Sequence, residues 1–286
     1  MSFTLLTCPV CQAPLSPPDD NFKRLVCSNN HSFDQAKQGY WNLLLAQNKR
    51  SKAPGDSKEM LVARREFLAK GHYQAIAQGV NKAIQSATDH RTSVSLADIG
   101  CGEGYYTIQM QALLAERGLP HQMIAVDIAK DAARLASQKH KQPEIFWAVA
   151  SGARMPVQPH SLDVATVLFS RLMPEPLHHS LKADGELIAV WPGAQHLIEL
   201  RQKIYNTVRD DALDASELLS SHFDEVELSQ VNTSVCLADE DSVRQLLLMT
   251  PHGQRIQDKA AELLSEGELK LTLNVNIGRY RPKQLV

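Results

Sequence analysis

Between Leu96 and Thr107 an apolar, strand-like run ends in an acid and then turns through alternate glycines into a helical stretch. It reads Leu96-Ala97-Asp98-Ile99-Gly100-Cys101-Gly102-Glu103-Gly104-Tyr105-Tyr106-Thr107. Glycines in a strand-to-helix turn let the backbone approach a ligand closely, and such a turn belongs to a βαβ unit. The surrounding chain alternates to match. Short apolar runs fall at 94–98, 123–127, 145–148, 164–169 and 186–191, with helical stretches at 105–117 and 130–140 between the earlier ones. The expected fold is α/β: a doubly wound, Rossmann-like parallel sheet. Past Val226 two extended segments, 227–236 and 270–278, flank a helical stretch near 241–249, which predicts two antiparallel strands finishing the sheet.

The first 34 residues follow another rule. They hold few periodic apolar positions and a Pro-rich turn, Ser16-Pro17-Pro18-Asp19-Asp20, so they need a staple to fold. Cys8-x-x-Cys11 and Cys27-x-x-x-His31 offer one: three thiolates and an imidazole in two chelating pairs, which close a tetrahedral shell around a structural zinc. The other two of the five cysteines, Cys101 and Cys236, are far apart in sequence. This usage points to metal binding in a reducing compartment rather than to a disulfide framework.

A chain of 286 residues with 43% hydrophobic and 22% charged residues supports one sizeable core and a small appendage. The predicted organisation is a zinc-ribbon-like domain over 1–38, a linker over 39–56 and the α/β domain over 57–286. Asp56 or Ser57 can cap a helix that stops at Gly71, with a second helix over 72–85. No run of about 18 apolar residues occurs and Met1-Ser2-Phe3-Thr4 lacks the layout of a secretory signal, so a cytoplasmic protein is expected.

The net charge of −2 speaks against a nucleic-acid partner, but it hides an asymmetry. Residues 1–91 hold 12 Lys/Arg against 7 Asp/Glu, and the remainder holds 18 against 25. The basic excess sits beside the cysteine module, as a nucleic-acid-facing front on an acidic body would require. Phe33, Lys37, Tyr40, Trp41, Lys49, Arg50 and Lys52 interleave aromatic and basic side chains. Two readings stay open: a stacking-and-phosphate surface, or Tyr40 and Trp41 packed between domains. The run Lys49-Arg50-Ser51-Lys52 is the stronger candidate for contact with an RNA backbone.

In the glycine loop the third glycine comes one residue earlier than in a dinucleotide fingerprint. The spacing of Asp98, Gly100, Gly102 and Gly104 instead resembles motif I of class I methyltransferases, whose loop runs beside the methionine part of S-adenosylmethionine. Asp127, 23 residues past Gly104 at the end of the next strand, can accept both ribose hydroxyls. Ser151 falls where such enzymes line the adenine pocket. His196 ends a turn over the carboxyl edge of the sheet, and the residues alone leave it an ordinary polar side chain.

Several stretches together resemble the RlmA-type guanine-N1 methyltransferases of 23S ribosomal RNA. They are the Cys/His pairs, the stretch from His31 to Tyr40, Lys49-Arg50-Ser51-Lys52-Ala53-Pro54-Gly55-Asp56, Arg64-Arg65-Glu66-Phe67-Leu68, Gly71-His72-Tyr73 and the glycine loop. The match is dense from Cys8 to Thr107 and thinner beyond, where Pro192-Gly193, His196-Leu197 and Met249-Thr250-Pro251 also fit. The resemblance implies a zinc-binding recognition domain, a homodimer with an RNA-binding cleft, and methylation of one guanine in an rRNA hairpin. It also implies that Tyr73, Gly102, Glu103 and His196 contact S-adenosylmethionine. One segment departs: the family usually carries Ile-Tyr-Ala-Pro-Cys after the fourth strand, where this chain has Leu168-Phe169-Ser170-Arg171-Leu172-Met173-Pro174.

A guanine N1 must lose its proton to be methylated. Asp163, Glu103 and Glu175 are candidate acceptors, and no spacing selects among them, so no residue is assigned as catalytic. Phe169 and Tyr106 are candidates to stack on a base taken out of its helix. Two rival functions remain: a class I methyltransferase acting on a small molecule or protein, and a zinc-dependent RNA-binding protein without turnover.

Overall fold

A computed structural model describes residues 5–18, 23–48, 54–205, 208, 214–250, 260–264 and 267–284. The N-terminal module contributes β1 (Arg24–Val26) and β2 (Ser32–Asp34), an antiparallel pair, followed by β3 (Trp41–Asn42). Next come α1 (Lys58–Ala69), α2 (Gln74–Thr88), β4 (Val94–Ile99), α3 (Tyr105–Glu116), β5 (His121–Asp127), α4 (Lys130–Lys139) and β6 (Ile145–Val149). Then follow β7 (Leu162–Leu168), α5 (Pro174–Ser180), β8 (Leu181–Pro192), α6 (Ile198–Ile204), α7 (Ala215–Leu219), β9 (Phe223–Leu237), α8 (Glu240–Met249), α9 (Ala260–Leu263) and β10 (Leu269–Pro282).

Strands β3 to β10 form one eight-stranded sheet in the order β3-β6-β5-β4-β7-β8-β10-β9. The first six run parallel, and β10 lies antiparallel to both β8 and β9. Every residue of β6 and β7 is buried, which is why β6 reads in sequence as an unbroken apolar run, and β7 as one interrupted by Asp163 and Thr166, rather than as alternation.

The two faces of the sheet are covered differently. On one, Phe67 of α1, Ile76 and Ile84 of α2, Met110 and Leu114 of α3, and Leu246 of α8 pack on Leu96, Met123 and Trp147. On the other, Leu177 of α5 and Leu219 of α7 share a cluster with the metal module, whose Leu6, Leu15 and Leu25 join Phe146, Ala148 and Val126. The module therefore fills part of the face that a helix would otherwise cover. Thr7 N donates to Pro156 O at 3.0 Å, and Leu6 bridges Val157, so the backbone is joined there as well.

The segment read as a linker begins inside the structure. Trp41–Asn42 pairs with β6, extending the sheet by a strand, and Tyr40, Trp41, Leu43 and Leu44 are buried. Of the two readings of Tyr40 and Trp41, packing is the one observed, with Trp41 stacked on Phe146 at 5.5 Å. Helix α1 starts where the cap predicts, as Ser57 Oγ accepts from Met60 N. Helix α2 begins at Gln74 rather than His72, because Gly71 lies at a φ of +82° and Tyr73 becomes the cap residue.

Ionic fastening sits at the amino edge. Asp163, at the start of β7, accepts from Arg91 Nη1 at 2.7 Å, Lys182 Nζ at 2.8 Å and Ser95 N at 2.8 Å. Glu186 of β8 joins Arg279 and Arg281 of β10. A buried carboxylate is costly to leave unpaired, and so is its partner. Asp163 is thus committed to structure at the edge opposite the glycine loop, which removes it as a proton acceptor. Replacing it, Asp163→Ala, is expected to cost about 3 kcal/mol in urea unfolding, the low end for a buried pair because Arg91 keeps Asp184. Calorimetric affinity for S-adenosylhomocysteine should stay within about threefold, a change worth under about 0.7 kcal/mol.

Candidate functional site

Parallel strands place their carboxyl ends on one edge, and ligands of open α/β sheets bind there at the point where strand order reverses. Here β4 is flanked by β5 on one side and β7 on the other. The segments leaving β4, β5, β6, β7 and β8 bring together the glycine loop, Asp127, Ser151, Phe169 and His196. Tyr73 joins them from the start of α2.

Within the loop Gly100, Gly102 and Gly104 all have left-handed backbone, with φ of +79°, +57° and +90°. At Gly100 a side chain would collide with Ser170, so the glycine admits the segment that departs from the family pattern. At Gly102 a Cβ would meet only Arg64 Nη1, at 3.6 Å, leaving room for a ligand against the backbone. Asp127 ties the loop down: Oδ2 accepts from Gly102 N at 3.0 Å and Oδ1 from Ala129 N at 2.8 Å. Each oxygen retains a second lone pair for a hydroxyl.

Asp98 lies one layer below, nearly inaccessible, accepting from Thr107 Oγ1 at 2.5 Å and Thr166 Oγ1 at 2.8 Å. Burial pushes its carboxyl up to about 6, against the two hydroxyls that favour the charged form. It joins β4, α3 and β7 beneath the loop rather than lining the surface. Burial also raises the Glu103 carboxyl and that of Asp127.

An aromatic wall closes the far side. Tyr73 sits edge-on to His196 at 6.1 Å and to Phe67 at 5.3 Å. Phe169 stacks on His196 at 6.4 Å and leans on Tyr106 at 6.3 Å. Phe169 is 39% exposed and has a φ of +51°, a strained conformation for an aromatic residue and one that clusters at functional sites. The Tyr106 hydroxyl is buried without a hydrogen-bond partner among the described residues, a donor that a ligand can satisfy. Ser151 accepts from Ala153 N in the turn after β6.

Arg64 of α1 is the residue that sequence reasoning missed. It pairs with Asp56 at 2.7 Å, lies beside Gly102, and lowers the carboxyls of Glu103 and Asp127 against their burial. Its one signal was its place in Arg64-Arg65-Glu66-Phe67-Leu68, a stretch that carries the family resemblance without giving any of its residues a role. Lys49, Arg50 and Lys52, the candidates for RNA backbone contact, lie outside the described residues, as does Pro251.

The metal centre is built from two tight turns. Gln12 N donates to Cys8 O and Asn30 N to Cys27 O, both at left-handed residues, with φ of +63° and +60°. These turns bring the ligand atoms of Cys8, Cys11, Cys27 and His31 within 4.8 Å of one another. Cys11 Sγ and Cys27 Sγ are 3.7 Å apart, and Cys27 Sγ is 3.4 Å from His31 Nδ1. The edge of a tetrahedron with zinc–sulfur bonds of about 2.3 Å is about 3.8 Å, so the donor set fits the metal. Backbone hydrogen bonding, that at Ala13 foremost, holds the Cys11 thiol down to about 6, whereas burial raises Cys8, which must shed its proton as metal enters.

The sheet, the glycine loop and the closed thiolate site define a class I, S-adenosylmethionine-dependent methyltransferase carrying an N-terminal zinc ribbon. Residues 6–52 match the family model described as RlmA, N-terminal, and residues 96–184 match the model of a methyltransferase domain. A Streptomyces fradiae relative, 23S rRNA (guanine(748)-N(1))-methyltransferase, is 30% identical, over 97% of this chain and 96% of its own. A Micromonospora griseorubida relative provisionally given the guanine-N1 activity is 31% identical, over 97% of both chains. The chain belongs to the 23S rRNA (guanine-N1)-methyltransferase family.

Because the ribbon has little core of its own, Cys27→Ser is expected to abolish zinc retention, read by elemental analysis of the purified protein. The ribbon should then open to limited proteolysis. A variant that keeps one equivalent of zinc would exclude the four-ligand site.

Proposed function

We propose that this protein transfers a methyl group from S-adenosylmethionine to N1 of a guanine in a hairpin of 23S rRNA. The observation that carries the reading is the joining, in one chain, of a closed thiolate site to the glycine loop and Asp127, in a chain that relatives named 23S rRNA guanine-N1 methyltransferases match over nearly its full length. When bound, the cofactor supplies an already activated methyl group, and the ribbon metal supplies folding energy.

In this reading Gly100, Gly102 and Gly104 give the cofactor a close backbone surface, and Asp127 accepts its ribose hydroxyls. Glu103 and Ser151 border it, Asp98 supports the loop from below, and Tyr73 and His196 wall the methyl-transfer side. Phe169 offers its exposed ring to the target base. Alignment and exclusion of water carry most of the acceleration, because the donor needs no further activation.

The organisation follows as a ribbon over 1–38, a connecting segment over 39–56 and a catalytic domain over 57–286, with RNA as the partner of both ends. We take the protein to act in the cytoplasm, in keeping with the 23S rRNA named as the substrate of its relatives. A homodimer has a seam available at β9, the 15-residue free edge of the sheet, which exposes Val226 and Leu228.

Methyl incorporation into unmethylated 23S rRNA, mapped by primer extension, should fall on a single guanine; incorporation only into small molecules or protein would overturn the reading. Phe169→Ala should lower kcat/KM for RNA about tenfold, within the 1–3 kcal/mol of one base stack, and leave S-adenosylhomocysteine binding unchanged. Asp127→Ala should do the reverse, weakening the nucleoside at least tenfold, or about 1.4 kcal/mol.

A further inference from the structure

Two stretches that carry the family resemblance, one through Pro54-Gly55-Asp56 and one through Arg64, meet beside the glycine loop. Gly55 has a φ of +85°, and a side chain on it would come within 2.9 Å of Ala129 Cβ and 3.1 Å of Ile128 Cγ2. Glycine there lets the turn press onto the segment that leaves β5. Asp56 is thereby brought into the field of Asp127, whose carboxyl, raised first by burial, it raises further. Arg64 of α1 completes the group.

The two ends of the Arg64 guanidinium face different groups. Nη2 pairs with Asp56 at 2.7 Å, and Nη1 is the atom nearest to the position that a side chain on Gly102 would take, at 3.6 Å. Arginine carries five N–H donors in a planar fork, and a carboxylate fits that fork. Burial raises the titrating groups of Tyr73, Tyr106, Glu103 and Asp127, and Arg64 opposes the rise in each, so its charge reaches the site from the α2 cap to the end of β5. The Tyr106 hydroxyl, buried with no partner among the described residues, is a second donor in the field of the same cation. The charges of the cofactor decide what the fork can hold. S-adenosylmethionine carries a sulfonium, an ammonium and a carboxylate. Asp56, Glu103 and Asp127 suit the first two and repel the third, so the carboxylate needs a cation, and Arg64 is set against the open backbone of Gly102.

We propose that Arg64 binds the α-carboxylate of S-adenosylmethionine through the Nη1 side of its guanidinium, over Gly102, while Nη2 stays on Asp56. The inference rests on the reading of the glycine loop as the cofactor site, and adds a cofactor-binding residue to it. With Asp127 on the ribose and Arg64 on the carboxylate, the sulfonium is tethered through both of its longer arms, which aligns the methyl group for transfer.

Calorimetry on the full-length, zinc-loaded protein tests this with two nucleosides: S-adenosylhomocysteine and its decarboxylated form, S-adenosyl-3-thiopropylamine, which lacks only the carboxylate. The unaltered protein should bind the decarboxylated nucleoside at least about tenfold more weakly. Arg64→Gln should lose a similar factor, about tenfold, for S-adenosylhomocysteine and stay within about twofold of the unaltered protein for the decarboxylated nucleoside. Binding of that second ligand also shows that the variant is folded. Arg64→Lys, which keeps the charge without the fork, should recover part of the loss. An unaltered protein indifferent to the carboxylate would overturn the assignment without any variant. So would an Arg64→Gln protein, folded by circular dichroism, that loses both nucleosides equally, since Arg64 would then be a counter-charge to Glu103 and Asp127. A variant that binds S-adenosylhomocysteine normally and RNA more weakly would overturn it in favour of a phosphate contact. Failure of both nucleosides to bind the unaltered protein would sink the glycine loop as the cofactor site, and the inference with it.

Discussion

The structure turns on the burial of the ribbon against the second face of the sheet. Leu6, Leu15 and Leu25 lie in one apolar cluster with Phe146, Ala148 and Val126, and the cluster takes in Cys8 and Cys27. A segment of this size has too little apolar surface to order itself, so metal ligation on one side and sheet burial on the other both contribute to its folding. The same burial fixes β3 on β6. Ribbon and sheet are thereby parts of one packed body.

The sheet is also divided end from end. At the amino edge Asp163 and Glu186 are buried and saturated by Arg and Lys, which locks strand to strand. At the carboxyl edge the polar groups are used differently. Asp127 holds the glycine loop through backbone N–H groups, and Asp98 holds α3 and β7 through two threonine hydroxyls. Burial raises the carboxyls of Asp98 and Asp127, and the loop above them keeps its unfilled surface at Gly102.

Much of this was legible in the residues. The glycine spacing announced the strand–turn–helix, the apolar runs located β4, β5, β6, β7 and β8 though not β3, which lies in the segment read as a linker, and the Cys/His pairs gave the metal site. What the sequence could not carry is which groups meet across long separations. Asp163 looked like a carboxylate available for chemistry, and only its neighbours Arg91 and Lys182, 72 and 19 residues away, show it to be a fastening. Tyr40 and Trp41 read equally as a stacking surface or as packing, and the pairing of β3 with β6 decides for packing. Arg64 lay in a stretch that resembles the family but showed no role, because its place beside Gly102 depends on how α1 crosses the loop.

The bridge between Leu6 and Val157 has a consequence for the order in which the protein is made. The ribbon leaves the ribosome first, but the chain that covers it follows roughly 150 residues later, so its apolar face waits uncovered while the sheet is synthesised. Metal capture can order the two tight turns early, whereas docking is a late, long-range event of the slow kind. Nascent chains short of Val157 would therefore carry a ligated but undocked ribbon, a species that invites chaperone capture. The last strands of the protein complete the far edge of the sheet only after that docking surface has been built.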